Sequence, residues 1–209
     1  MLPAPPLLII TDRKQATRPL DAILDAAFAA GCRWASLREK DLPATGQIAL
    51  LQVLMVIARH HGALLTLHGD HGLAAAAGAD GVHLSADGDP TAARTALGPR
   101  ALVGLSIHSL ADTAKLVPGT LDYAIAGPAY VTESKPGYGP ALGPAGLAAI
   151  AQAARVPVVA LGGIGVAVAA EIMRAGAAGI AVMGGVMRAG DPGEEVRAML
   201  ATLTAYAPR

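Results

Sequence analysis

The sequence predicts a single-domain α/β fold, a (β/α)8 TIM barrel, and three observations carry that expectation. Short apolar runs alternate with helical stretches roughly eight times along the chain, near the lower size limit for such a barrel. Most of the runs are continuously apolar, as parallel strands covered on both faces must be. The last two glycine pairs of the chain, Gly162-Gly163 and Gly184-Gly185, each close an apolar run, where such barrels commonly hold phosphate. The bland alternative is that these glycines only cap strands. A doubly wound open sheet is the rival fold. It more usually has fewer strands and a Gly-rich turn after the first, whereas here the first run leads into Thr11-Asp12-Arg13.

The elements follow in order. Strand Leu7–Thr11 precedes a helix over Pro19–Gly31, with a proline start and a glycine stop. Strand Trp34–Lys40 ends in charge, and a long amphipathic helix covers Leu42–Gly62. Strand Leu64–Asp70 leads to a short helix, Gly72–Gly78, and strand Gly81–Ser85 to a helix over Pro90–Gly98. Strand Leu102–His108 is followed by a helix over Ser109–Val117 with Ser109 as N-cap. Strand Asp122–Pro128 opens a long Gly/Pro/Ser/Thr loop, Ala129–Gly143, before a helix over Pro144–Arg155. The two glycine-ended strands, Pro157–Ile164 and Gly179–Gly185, flank a helix over Val166–Gly176, and Pro192–Ala207 closes the chain.

Composition narrows the function. Charged residues are 15% of the chain and the net charge is zero, which argues against disorder and gives no electrostatic pull toward nucleic acid or an acidic membrane. Aromatics at 3% leave no stacking platform for single strands. Cys32 stands alone, so no disulfide forms within the chain and a reducing cytoplasm fits; its setting is that of a buried, inert thiol. The N-terminus lacks the basic region and cleavage site of a signal peptide, and no apolar run approaches the ~20 residues of a membrane span.

In a barrel the C-terminal strand ends form the active face. Here they carry Arg38 and Lys40, His68, His83, Ser106 and His108. Arg38 and Lys40 are two apart, so on a strand both project to one side. An apolar core would not accommodate two unpaired cations, which points to an anionic ligand; pairing with Glu39 or Asp12 is the alternative. His108, two residues after Ser106, can shuttle protons near neutral pH, although lone histidines often only bond backbone. The loop supplies Thr132, Ser134 and Lys135 as an anion clamp beside the glycine pairs, or is ordinary solvated loop. Its length in so compact a chain favours function. No metal-ligand spacing, nucleophile elbow or Walker sequence occurs.

At IITDR, LREK, GADGVHL, VGLSIHS, DYAIAGPAYVTESK, PVVALGGI and GAAGIAVMGG, in that order and over nearly the whole chain, the sequence resembles the thiamine phosphate synthase/TenI superfamily. The resemblance implies a barrel handling a thiazole phosphate, usually as a homo-oligomer. One branch joins a pyrimidine diphosphate to thiazole phosphate with Mg²⁺; the other, thiazole tautomerase, moves a proton within a carboxythiazole phosphate and needs no cofactor. The thiazole-phosphate half of the site is kept at Thr132, Ser134, Lys135, Gly162, Gly163, Met183, Gly184 and Gly185. The diphosphate half is altered. Ser36 stands where synthases carry Gln, His68-Gly69 where they carry Asn-Asp, and Ser85-Ala86-Asp87-Gly88 where they carry Gly-Gln-acid-Asp. Both usual Mg²⁺ carboxylates are therefore glycines, with Asp70, Asp87 and Asp89 nearby as shifted substitutes.

The expected function is a metal-independent thiazole tautomerase, with His108 as the base and Arg38 and Lys40 meeting a carboxylate. Ser106 and His68 help hold the substrate. Alternatives are an atypical thiamine phosphate synthase that uses Mg²⁺, and a non-catalytic binder of thiazole phosphate.

Overall fold

The computed structural model describes residues 2–132 and 139–204. Its strands are β1 (Leu7–Ile10), β2 (Trp34–Leu37), β3 (Leu64–His68), β4 (Gly81–Leu84), β5 (Leu102–Ile107), β6 (Tyr123–Ala126), β7 (Val158–Leu161) and β8 (Gly179–Val182). They pair in sequence order, all parallel, and β8 closes onto β1 through Leu7↔Ile180 and Ile9↔Val182. The predicted (β/α)8 barrel is therefore the observed fold.

The continuous apolar runs have a geometric reason. Alternate side chains of a strand face opposite ways, and both faces are covered here. Leu8 and Ile10 join Trp34, Tyr123, Ile125 and Val159 in the cluster that fills the barrel. Leu7 and Ile9 pack outward with Leu24, Phe28, Val196 and other helix residues. Inside, Trp34 and Tyr123 meet edge to face, ring centroids 4.8 Å apart. Tyr123 needs Gly104 beside it, because a Cβ there would stand 2.1 Å from the phenol ring.

The outer layer is α1 (Leu20–Ala29), α2 (Ala44–His60), α3 (His71–Ala77), α4 (Pro90–Leu97), α5 (Gly143–Ala153), α6 (Val166–Arg174), α7 (Gly184–Met187) and α8 (Pro192–Thr204). Asp70 caps α3 by accepting from the Leu73 amide, and Asp89 caps α4 by accepting from Thr91 and Ala92. Such caps satisfy amides that lack helical partners. No helix among the described residues is long and apolar enough to cross a membrane.

Several local expectations need correction. Strand β2 stops at Leu37, so Arg38 and Lys40 lie beyond it. Thr11 and Glu39 capture the turn that follows, as described below. The helix expected over Ser109–Val117 is only a 3₁₀ turn, Ala111–Lys115. Asp112 Oδ2 gathers the His108 amide, the Ser109 amide and the Ser109 hydroxyl there, and Pro118 disfavours helix at the residue before it. Ser109 Oγ still accepts from the Asp112 amide, at 3.3 Å. Gly184-Gly185 does not terminate a strand. The strand ends at Val182 and the pair opens one-turn α7.

Candidate active site

A cavity of about 420 Å³ opens at the C-terminal ends of the strands. Arg38, Lys40, His68, Ser106, His108, Thr132, Gly162, Gly163, Met183, Gly184 and Gly185 all line it. The structure thus gathers these sequence-selected positions, drawn from β2 to α7, around one space. Ser134 and Lys135 lie outside the described residues.

The cationic side is held by a buried carboxylate. Glu39, only 2% exposed, accepts from Thr11 Oγ1 at 2.8 Å and from the Arg13 amide at 3.0 Å. Thr11 Oγ1 in turn accepts from the Arg38 amide at 2.9 Å. With Glu39 turned inward, its neighbours Arg38 and Lys40 reach the cavity. Asp12, the other acid considered for them, receives the Lys14 amide and Gln15 Nε2 instead. Loss of hydration raises the Glu39 carboxyl above its ordinary value, against the pull of Thr11 and Arg13. Lys40 is held below the ordinary lysine value, first by lost hydration and then by Arg38.

The glycine side is built by close backbone approach. Gly162 and Gly163 have φ of +106° and +63°, a region that favours glycine. A Cβ on Gly162 would meet Pro128 Cα at 2.9 Å, and one on Gly163 would meet Val131 O at 2.7 Å. The Ala129 and Tyr130 amides donate to Leu161 O and Gly162 O. Thr132 follows this laced segment and lines the same cavity as the glycines. Arg188, just past α7, also lines the cavity and bonds Gln15. Sequence reasoning missed it; the available signal was a cation within one helical turn of Gly184-Gly185.

Between the two sides stand the histidines. His108 Nδ1 lies 2.7 Å from Gly127 O. A carbonyl only accepts, so Nδ1 carries the proton and Nε2 is the basic nitrogen of the neutral ring. His83 is fully buried on β4, with Nε2 2.8 Å from Ser106 Oγ. Its ring lies 4.7 Å from that of His68 and stacks on Tyr123. Burial, then Lys40 and His108, pushes the His83 imidazole down to about 3, so it is neutral at ordinary pH.

The thiamine monophosphate synthase family model matches residues 7–186 of the chain that builds this cavity. The chain belongs to the thiamine monophosphate synthase family. It is a thiamine-biosynthesis protein of that family. A Geobacter sulfurreducens relative, provisionally named thiamine-phosphate synthase, is 43% identical over 199 residues, 94% of this chain and 93% of its own. The thiamine-phosphate synthase of Roseiflexus sp. strain RS-1 is 37% identical over 161 residues, 76% of this chain and 68% of its own. Among solved structures, a Pyrococcus furiosus thiamine phosphate pyrophosphorylase superposes with a TM-score of 0.85 at 27% identity, covering 97% of this chain and 96% of its own.

The synthase branch that the sequence resembles implies Mg²⁺ in this cavity. A hard divalent cation asks for carboxylate oxygens. Among the described residues, no Asp or Glu lines the cavity, and no three metal-ligating side chains cluster. Asp70 and Asp89 are occupied as helix caps, and Asp87 is exposed outside the cavity lining. Gly69 has φ +149°, and a Cβ on Gly88 would stand 2.7 Å from Leu84 Cβ. The two positions where synthases carry acids are shaped here for glycine. The described residues do not fit the metal.

Proposed function

We propose that this family member binds a thiazole phosphate at the barrel mouth and moves a proton within it, as a thiazole tautomerase does. The observation that carries this reading is a cationic wall without carboxylates among the described residues, where the φ of Gly69 and the crowding at Gly88 disfavour the acids that a Mg²⁺-diphosphate reaction uses. The glycine turns with Thr132 receive the phosphate, joined by Ser134 and Lys135 as the sequence motif implies. Arg38 and Lys40 receive the substrate carboxylate. His108 Nε2 takes a ring proton while Nδ1–H stays on Gly127 O, and the imidazolium returns the proton to another ring position. No net charge leaves the site, so no neutralising cation is required.

The experiment follows carboxythiazole phosphate by proton NMR in D₂O with purified protein, with and without chelator. Isomerisation and deuterium uptake that survive chelation and vanish in His108→Asn support the reading. An unchanged rate in His108→Asn overturns it.

A second reading is favoured by the relatives' names: thiamine phosphate synthase with rebuilt Mg²⁺ ligands. Incubation with the pyrimidine diphosphate, thiazole phosphate and Mg²⁺ separates the two. Diphosphate release as the main activity would establish the synthase and remove the tautomerase.

A further inference from the structure

The pairing of His83 with Ser106 fixes a proton that the sequence does not show. A neutral imidazole carries one N–H, on Nδ1 or on Nε2. Among the described residues, His83 Nδ1 is buried and has no hydrogen-bond partner, while Nε2 faces Ser106 Oγ at 2.8 Å. A proton on Nδ1 would leave a buried N–H donor unsatisfied, and orphaned buried N–H groups are the rarest kind. A proton on Nε2 leaves only a bare lone pair there and gives the N–H its acceptor. The Nε2–H tautomer is therefore the less costly one. With Ser106 Oγ accepting from His83, the serine's own O–H is left to donate elsewhere, and Ser106 lines the cavity two residues before His108.

The register locks the imidazole in place. His83 pairs with His68 on one side and Gly104 on the other, and Gly104 pairs with Tyr123. The missing side chain at Gly104 lets the Tyr123 ring reach across and stack on His83, 24° from parallel with centroids 5.6 Å apart. The ring is thus clamped between His68 and Tyr123, and its burial, with Lys40 and His108 nearby, disfavours a second proton on it.

We infer that His83 is a positioning residue, whose Nε2–H holds Ser106 so that the serine hydroxyl donates into the cavity toward negative charge formed on the ligand when His108 removes a proton. The donor's role toward that charge rests on the proposed proton transfer; the orientation of the hydroxyl does not. In balance, a ligand C–H bond breaks, its electron pair spreads into the ring and carboxylate, and the proton resides on His108 Nε2 until it is returned. Ser106 lends a hydrogen bond to the charge and keeps its own proton.

The test has a spectroscopic and a kinetic arm. Long-range ¹H–¹⁵N correlation on the wild-type protein labelled in its imidazoles reads the His83 tautomer without any substitution. The expected pattern is Nε2–H, unchanged through the neutral pH range. An Nδ1–H ring, or one that charges there, overturns the inference. In turnover of carboxythiazole phosphate, Ser106→Ala is expected to lower kcat about tenfold, the size of one hydrogen bond to charge, with KM little changed. His83→Leu should match it and His83→Gln should recover part of the loss, since the amide can place an N–H near the Nε2 position. A wild-type kcat in Ser106→Ala overturns the donor role. If the wild-type protein isomerises nothing, the proposed function falls, and the tautomer measurement alone decides the inference.

Discussion

Thr11 donates its hydroxyl to Glu39 at 2.8 Å and accepts the Arg38 amide on the same oxygen at 2.9 Å. One side chain therefore ties β1 to the turn that carries both cavity cations. Thr11→Val keeps the shape but removes both bonds and leaves a buried carboxylate short of a donor. Such a loss costs about 1–3 kcal/mol. Denaturant unfolding is expected to show that loss, and calorimetry with thiazole phosphate or inorganic diphosphate should show weaker binding. Wild-type stability in Thr11→Val would remove the tie.

Gly104→Ala tests the interior of the barrel. The added Cβ would lie 2.1 Å from the Tyr123 ring, which has Trp34 against its edge and His83 against its face. Overpacking of this kind costs about 1–3 kcal/mol. Thermal or denaturant unfolding should show the loss, and paired with Tyr123→Phe it should persist, because the clash involves ring carbons rather than the hydroxyl.

How far the sequence revealed this arrangement depends on the physics of each part. The barrel was legible because runs such as Leu7–Ile10 are buried on both faces, and only a parallel sheet covered on both sides explains that pattern. The cavity cations were legible because Arg38 and Lys40 follow an apolar run, just past the end of β2. The reason they reach the cavity was not, since it depends on Thr11, 27 residues from Arg38, meeting Glu39. The Ser109–Val117 stretch was misread because its helical composition competes with a local Asp112 network that periodicity does not report. Arg188 escaped because α7 is a single turn, too short for a periodic signal.

His83 makes the fold acid-sensitive. Its imidazole is pushed from 6.5 to about 3 in the folded chain. The folded state therefore binds the proton more weakly than the unfolded chain does. The stability it contributes is full above pH 6.5 and falls as pH drops toward 3. The slope for one proton is about 1.4 kcal/mol per pH unit. Denaturant midpoints measured down this range should fall more steeply in the wild type than in His83→Gln. Parallel curves would show that the imidazole titrates normally.

The glycines at 69 and 88 allow the reverse test of the metal question. If they were merely lost acids, Gly69→Asp and Gly88→Asp would restore a Mg²⁺ site at little cost. Instead, Gly69 sits at φ +149° and a Cβ on Gly88 would press 2.7 Å from Leu84 Cβ. Backbone strain and overpacking each cost about 1–3 kcal/mol. Each single variant, and Gly69→Ala and Gly88→Ala as charge-free controls, should therefore unfold at lower denaturant. Calorimetry should show no tight Mg²⁺ binding by the double aspartate variant. A stable double variant that binds Mg²⁺ and releases diphosphate from the synthase substrates would mean that the cavity is a synthase site lacking only its acids, and that its backbone was never committed to another reaction.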